Sequence, residues 1–191
     1  MIEKILRCLE ERLSKERLLH SLGVAKVAKR LGMIYDIDIQ RLEIAALLHD
    51  IGKEMEIGRQ PEFLKKNGVL LTEEEMKCQG IIHAYVSSIV ARNEFKIEDD
   101  DIINAIRYHP TGHPDYKIFE KVIFASDYLD PSRRLRRQKE ILRITLENID
   151  SGIIEIIKEK INYIISNREF LHPLTIDFYN KLLEKSPISH T

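Results

Sequence analysis

The chain of 191 residues has no tryptophan, only two cysteines, and only eight glycines and six prolines. So few glycines and prolines exclude a linker-rich or low-complexity chain. Cys8 and Cys78 form neither a C-x-x-C pair nor a disulfide framework, so we expect reduced thiols. The longest uninterrupted apolar run, residues 44–48, is far shorter than the roughly 20 residues that a membrane span needs.

Charge of neither sign is in excess, since 30 Lys and Arg residues face 31 Asp and Glu residues, for a formal net charge of −1. This balance argues against a strongly basic nucleic-acid-binding protein and against an acidic disordered chain. Residues 1–5 lead straight into charged positions, so the sequence predicts no secretory signal. We therefore expect a cytoplasmic protein that neither spans a membrane nor binds nucleic acid.

Apolar residues recur at helical spacing over nearly the whole chain. No alternating run of strand length is flanked by a hairpin turn, and no linker interrupts the pattern. Asp38 and Asp115 are predicted N-caps, and Thr72 with Glu75 is a predicted capping box. The acidic residues 99–101 are predicted to lie at the start of a helix, where the helix dipole favours negative charge. Residues 53–71 are predicted to be irregular, and the helix capped by Asp115 to cover 116–129. The sequence thus predicts an all-α fold forming a single domain over residues 1–191.

Several histidines and aspartates interrupt apolar stretches of this pattern. A buried imidazole or carboxylate costs several kcal/mol unless it is paired, hydrogen-bonded or metal-bound. Each group alone could be a satisfied core residue, and a His-Asp pair after a helix could equally be a helix-end cap. Five helices that each present such a group inward are satisfied together if the groups converge on a cation. The groups are His20, His49, Asp50, His83, His109 and Asp127.

Imidazole and carboxylate donors suit a divalent transition metal such as Fe, Mn, Co, Ni or Zn. The lack of a nearby thiolate argues against a structural zinc site. Mixed His/Asp ligation with open positions is typical of sites that activate water against a phosphorus centre. The residues therefore predict a catalytic metal site inside a helical bundle.

Five segments in one order resemble the HD-domain metal-dependent phosphohydrolases, and most closely the YqeK-like group of symmetrical diadenosine-tetraphosphate hydrolases. The segments contain Arg17-Leu18-Leu19-His20, Leu48-His49-Asp50-Ile51-Gly52-Lys53, Ile82-His83-Ala84, Tyr108-His109-Pro110-Thr111-Gly112, and Ala125-Ser126-Asp127-Tyr128-Leu129-Asp130-Pro131-Ser132-Arg133. They span about residues 17–133, the motif-bearing core, and the C-terminal helices are compatible with packing on it. The resemblance implies an all-α HD-domain bundle with the metal site in its core.

The resemblance also implies roles for particular residues. One metal ion would be held by His20, His49, Asp50 and Asp127. A second ion would be held by His83 and His109 and bridged by Asp50, and iron is the expected metal. Asp50 and Lys53 are the predicted catalytic residues. The predicted substrate contacts are Arg17, Lys53, Thr111, Gly112 and Arg133.

The implied reaction is hydrolysis of diadenosine tetraphosphate to two molecules of ADP. Two alternatives stay open: another HD phosphohydrolase acting on nucleotides, and a non-catalytic metal-binding helical module. Three residues depart from the family pattern, and none of them removes a predicted ligand: Gly52, Pro110 and Asp130. The basic cluster 133–137 lacks interleaved aromatics, so nucleic acid is not the expected partner. The sequence leaves a homodimer open.

Overall fold

The apolar stripes become helices in the computed structural model, which describes residues 1–185. The six residues beyond, which belong to the predicted domain 1–191, lie outside the described residues. Between residues 1 and 185 there is no β-strand, as predicted. The helices are α1 (Ile2–Arg12), α2 (Lys15–Ile34), α3 (Ile39–Leu48), α4 (Gln60–Lys66), α5 (Glu73–Lys77), α6 (Gln79–Glu94), α7 (Asp100–Tyr108), α8 (Ile118–Leu129), α9 (Gln138–Glu147), α10 (Ile149–Ser166) and α11 (Pro173–Lys185).

Side-chain caps begin α3 and α5 as the sequence predicted, and α7, where the sequence predicted an acidic start, also begins with a cap. The Asp38 carboxylate accepts hydrogen bonds from two backbone amides at the start of α3. Thr72 and Glu75 form a complete capping box at α5. Asp99 caps α7, whose first turn also carries two acidic residues. Such caps satisfy amide groups that have no partner inside the helix.

Two local predictions were wrong. Asp115 does not cap a helix, because α8 begins at Ile118 and Lys117 precedes it without a side-chain cap. Instead the Asp115 amide donates to Nδ1 of His113, a turn contact that residue type alone does not distinguish from a cap. The stretch 53–71 is not irregular throughout, since it contains α4 and two short 3₁₀ turns, Ile51–Glu54 and Ile57–Arg59.

The core forms where α2, α3, α6, α7 and α8 pack together, and α8 is the most enclosed of them. Every residue of α8 after Ile118 is buried. On the far side of α8 lies α10, which also contacts α9 and α11. Among the described residues, no helix is both long and apolar enough to span a membrane. This packing brings the ends of α3 and α7 against the middle of the bundle.

Candidate metal centre and its clefts

The six predicted metal ligands, which come from five different elements, meet in one place. His20 lies on α2, His83 on α6 and Asp127 on α8. The His49-Asp50 pair directly follows α3, and His109 directly follows α7. Helix ends can present side chains along the bundle axis, so residues at two helix ends and on three helix faces converge on one point. Two groups of potential ligands share Asp50.

The first cluster gathers around Oδ2 of Asp50 and also contains His20, His49 and Asp127. Nε2 of His49 lies 3.4 Å from this oxygen, and Nε2 of His20 lies 3.6 Å from it. Oδ1 of Asp127 lies 3.1 Å from Nε2 of His20 and 3.6 Å from Nε2 of His49. Donors bound about 2.1 Å from one ion lie about 3.0 to 3.5 Å apart, so this spacing suits a single cation.

The second cluster gathers around the other carboxylate oxygen of Asp50. Its Oδ1 lies 3.1 Å from Nε2 of His83 and 3.4 Å from Nε2 of His109. The two Nε2 atoms lie 3.3 Å apart. Asp50 thus turns one oxygen to each cluster, which is the arrangement of a bridging carboxylate between two cations.

The ring orientation of two histidines is fixed through Nδ1 by backbone carbonyl groups. Nδ1 of His49 donates to the carbonyl oxygen of Ala46 at 2.7 Å, and Nδ1 of His109 to that of Ile106 at 2.8 Å. A carbonyl oxygen only accepts, so both rings carry a proton on Nδ1. A neutral ring then has a lone pair on Nε2, the atom that faces the cluster. Second contacts of this kind orient metal-binding imidazoles.

One buried carboxylate oxygen among these groups lacks a hydrogen-bond donor in the described part of the chain, which favours a cation beside it. Oδ1 of Asp50 is buried and accepts no hydrogen bond from any residue in 1–185. Burying an unsatisfied carboxylate oxygen is costly, and a cation shared with two imidazole nitrogens removes that cost. The residues present therefore fit a pair of divalent ions, with Asp50 between them.

The electrostatics of the ligands keep negative charge on the carboxylates and a proton on His49. Burial acts to raise the pKa of Asp50, but nearby His49 and the imidazoles of the second cluster hold it well below its ordinary value. Burial acts to lower the pKa of His49, and the carboxylates of Asp50 and Asp127 outweigh it and raise that pKa to about 10. Burial lowers the pKa of His109 to about 3. The carboxylates are therefore charged, and a metal ion must displace a proton from His49.

The three predicted cationic contacts lie at this centre in different ways. Nζ of Lys53 donates to Oδ2 of Asp50 at 2.7 Å. Nη2 of Arg133 donates to Oδ1 of Asp127 at 2.6 Å. Arg17 reaches no ligand, since its guanidinium pairs with Glu54 at 2.8 Å and donates to the backbone carbonyl of Lys53. Lys53 and Arg133 thus touch the ligands directly, and Arg17 stands behind Lys53.

The predicted contacts Thr111 and Gly112 lie in the turn after α7. Both backbone amides of the pair donate to the carbonyl oxygen of Tyr108, so they are used inside the protein. Gly112 has φ of +72°, and a Cβ there would lie 2.1 Å from the ring of Phe178. Glycine is required by the backbone and the packing. Thr111 lines a cleft beside the second cluster, and substrate contact by this turn stays a prediction.

Sequence reasoning missed the part that Asp130 plays. Its Oδ2 accepts a hydrogen bond from Nδ1 of His20 at 2.8 Å, and its side chain is almost fully buried. The carboxylate reaches α2 because Gly23 has no side chain, since a Cβ there would lie 1.9 Å from Oδ1 of Asp130. Residues 20 and 130 are far apart in sequence, and the only signal was a carboxylate directly before a proline after α8.

Two clefts of similar size, about 700 Å³ and 710 Å³, open on this centre. The N-terminal cleft is bounded by the start of α2 and by the turn after α3, and its walls include Arg17, His20 and Asp50. The C-terminal cleft lies between the second cluster and α10, and its walls include His83, His109 and Lys160. Lys53 and Arg133 line both clefts, so the clefts meet at the ligands.

Two of the four arginines in the basic cluster 133–137 have carboxylate partners within the protein. Arg137 pairs with the carboxylates of Glu140, Glu155 and Glu159. Arg133 donates to Asp127 of the candidate metal centre.

Comparison with known proteins agrees with this geometry. The HD domain family model matches residues 17–132, the stretch that carries all six ligands. The chain belongs to the HD domain family, and membership implies that it binds a divalent metal.

The full-length relatives are more specific. The chain is 29% identical over 182 residues to the symmetrical bis(5'-nucleosyl)-tetraphosphatase of Halalkalibacterium halodurans, covering 94% of this chain and 96% of that protein. It is 32% identical over 185 residues to the enzyme of the same name from Staphylococcus aureus, covering 94% and 93%. The crystal structure of a "predicted HD superfamily hydrolase involved in NAD metabolism" from Clostridium acetobutylicum, 31% identical, superposes with a TM-score of 0.93 over 97% of this chain and 98% of that one.

Proposed function

We propose that this chain is a metal-dependent hydrolase that cleaves diadenosine tetraphosphate symmetrically, giving two molecules of ADP. The observation that carries the proposal is the double cluster around Asp50 at the junction of two clefts of similar volume. A substrate with two like halves joined by a tetraphosphate would lie with one half in each cleft. Its central phosphoanhydride would then lie beside Asp50. The names and full-length coverage of the two bacterial relatives support this substrate class.

Two divalent ions, iron in our proposal, would be held by the first and second clusters. When bound, they polarise phosphate oxygens and lower the pKa of water at the site. Ligands of this type also accept Mn, Co, Ni or Zn, so the proposal of iron concerns the native metal only. Asp50 contributes by holding both positions at one carboxylate.

The cations of the chain would bind the polyphosphate. Nζ of Lys53 and the guanidinium of Arg133 neutralise Asp50 and Asp127 in the protein as it stands. Divalent ions at the two clusters would take over that neutralisation and free these donors for phosphate oxygens. Arg133 can make bidentate contacts, whereas Lys53 acts as a point charge. Thr111, Gly112 and Arg17 complete the proposed set, with Arg17 positioning Lys53 through its backbone carbonyl.

The test is an assay of purified protein with Mn²⁺ or Fe²⁺ and a panel of nucleotides. Diadenosine tetraphosphate should give ADP alone, with no ATP or AMP, when products are separated by chromatography. Turnover of a nucleoside monophosphate, a deoxynucleoside triphosphate or a guanosine alarmone instead would favour another HD phosphohydrolase. Metal binding without turnover of any substrate would favour the non-catalytic module.

We also propose that the chain forms one domain, because the buried hydrophobic cluster runs through helices from α1 to α11 without a break. Homodimer formation and a cytoplasmic location stay predictions from the sequence. Size-exclusion chromatography with light scattering tests the first of these, with a dimer as one outcome and a monomer as the other.

A further inference from the structure

Two cations that line the C-terminal cleft, Lys160 and Arg168, come from outside the segment that matches the HD domain family. Lys160 lies on α10, beyond residues 17–132. Its side chain is half-buried and lines the cleft together with Lys53 and Arg133. The ammonium lies 4.8 Å from the ring centroid of Phe124, a buried residue of the core.

Lys160 differs from Lys53, Arg133 and Arg17 in having no carboxylate partner among the described residues. Lys53, Arg133 and Arg17 pair with Asp50, Asp127 and Glu54 respectively. Within residues 1–185, Nζ of Lys160 makes no hydrogen bond and no ion pair. Burial lowers its pKa to about 8, Asp127 acts in the opposite direction, and the charges of Arg133 and Lys53 add to the lowering. A cation in this position lowers the stability of the folded chain unless an anion meets it.

We propose that Lys160 binds a phosphate oxygen of the substrate half that lies in the C-terminal cleft. This inference rests on the proposed function, because it needs a polyphosphate in that cleft. Arg17 lines the opposite, N-terminal cleft. Each cleft thus contains a cation that does not contact the predicted metal ligands. This cation is Arg17 in the N-terminal cleft and Lys160, on α10, in the C-terminal cleft.

The experiment compares Lys160→Met, Lys160→Arg and wild type, with Lys158→Met as the matched control on the same helix. Methionine keeps an apolar stem over Phe124 and removes the charge. Lys158 is exposed and paired with Glu155, so its replacement should leave activity unchanged. Lys160→Met should lower kcat/KM for diadenosine tetraphosphate about 10- to 100-fold, as expected for one charge-assisted hydrogen bond. Lys160→Arg should recover most of that loss.

Two further measurements exclude a structural explanation. Metal content should be the same in all four proteins, and the melting temperature of Lys160→Met should equal or exceed that of wild type, because an unpaired charge is removed. A lysine that only stabilised the fold would lower the melting temperature when replaced. Wild-type kinetics in Lys160→Met, or equal loss of stability and activity in both Lys160 variants, would overturn the proposal.

Binding of inorganic tripolyphosphate to the metal-loaded proteins separates this proposal from the proposed function. If wild type fails to cleave diadenosine tetraphosphate, the proposed function fails, but calorimetric titration with tripolyphosphate still tests Lys160. Binding about tenfold or more weaker in Lys160→Met than in the Lys158→Met control supports the contact. Equal affinity in the two variants contradicts it.

Discussion

The two clusters share Asp50, yet they differ in donors and in surroundings. The first cluster adds His20, His49 and the carboxylate of Asp127 to one oxygen of Asp50, and two cations touch its carboxylates. The second cluster adds only His83 and His109 to the other oxygen. A site with two carboxylates and more donors holds a divalent ion more tightly than a site with one.

From this difference we expect the two neighbouring sites to have different tasks, one holding an ion firmly and the other acting on substrate. The first cluster has few open positions and strong charge compensation, which suits an ion that stays bound. The second cluster leaves more positions for water and phosphate oxygens, which suits an ion that works on substrate. We therefore expect the first site to fill at lower metal concentration than the second.

Asp50→Ala should have the largest effect, because it removes a ligand from both clusters. We expect both metal ions to be lost and kcat/KM to fall by about 10⁴-fold, equal to between 5 and 6 kcal/mol of transition-state stabilisation. Helical circular dichroism should change little, since the core does not depend on this side chain. Elemental analysis beside the kinetics checks the result, and full metal content in the variant would contradict the shared position of Asp50.

His109→Ala and His49→Ala separate the two clusters. Loss of His109 should leave about one equivalent of metal, whereas loss of His49 should remove the more tightly bound ion. We expect each variant to lower kcat by about 10³-fold, because each disables one ion of a pair that acts on the same phosphate. Metal titration followed by elemental analysis measures the occupancies. Equal affinity for the ion that remains in each variant would show that the clusters do not differ as described.

Lys53→Ala and Arg17→Ala compare a cation that contacts a predicted metal ligand with a cation that contacts Glu54 and the backbone of Lys53. Lys53 contacts Asp50 directly, whereas Arg17 pairs with Glu54. Removing Lys53 should lower kcat/KM by about 10²- to 10³-fold, as for one preorganised donor, and removing Arg17 should cost less. Metal content should stay normal in both variants. Wild-type rates for both would remove these residues from phosphate binding.

Gly23→Ala should have the smallest effect and should act only on the first cluster. The added methyl group would displace Asp130, whose carboxylate orients His20. Losing such a second contact typically costs 10- to 100-fold in metal affinity or activity, so we expect about that loss at the first site. Asp130→Ala should behave alike. Gly58→Ala is the control, because a Cβ at Gly58 meets nothing within 4 Å.

The sequence predicted the helical fold because the apolar period is a local pattern, and the resemblance to the HD-domain phosphohydrolases supplied the grouping of the predicted ligands. The apolar period marked the helices, and a histidine or aspartate inside an apolar stretch marked each ligand. Asp130 and Lys160 were missed for a physical reason. Their importance comes from contacts with His20 and with a cleft, and both contacts join residues that are distant along the chain.

The helix caps show the same limit on a smaller scale. Asp38 caps a helix as predicted, but Asp115, of the same residue type, lies in a turn beside His113. Residue type gives the ability to cap, and the path of the chain decides whether an amide is there to be capped. At Gly112 the positive φ and the ring of Phe178 already require a glycine, so the residue type there gives no separate information about substrate contact.

The most direct test of the central claim, that Asp50 joins two ion sites, is anomalous diffraction from a crystal of the protein grown with Mn²⁺. We expect two anomalous peaks, one among Asp50 Oδ2, His20, His49 and Asp127, and one among Asp50 Oδ1, His83 and His109. At limiting Mn²⁺ the first peak should be the stronger. A single peak at full occupancy, or Asp50 bound to metal through one oxygen only, would contradict the account.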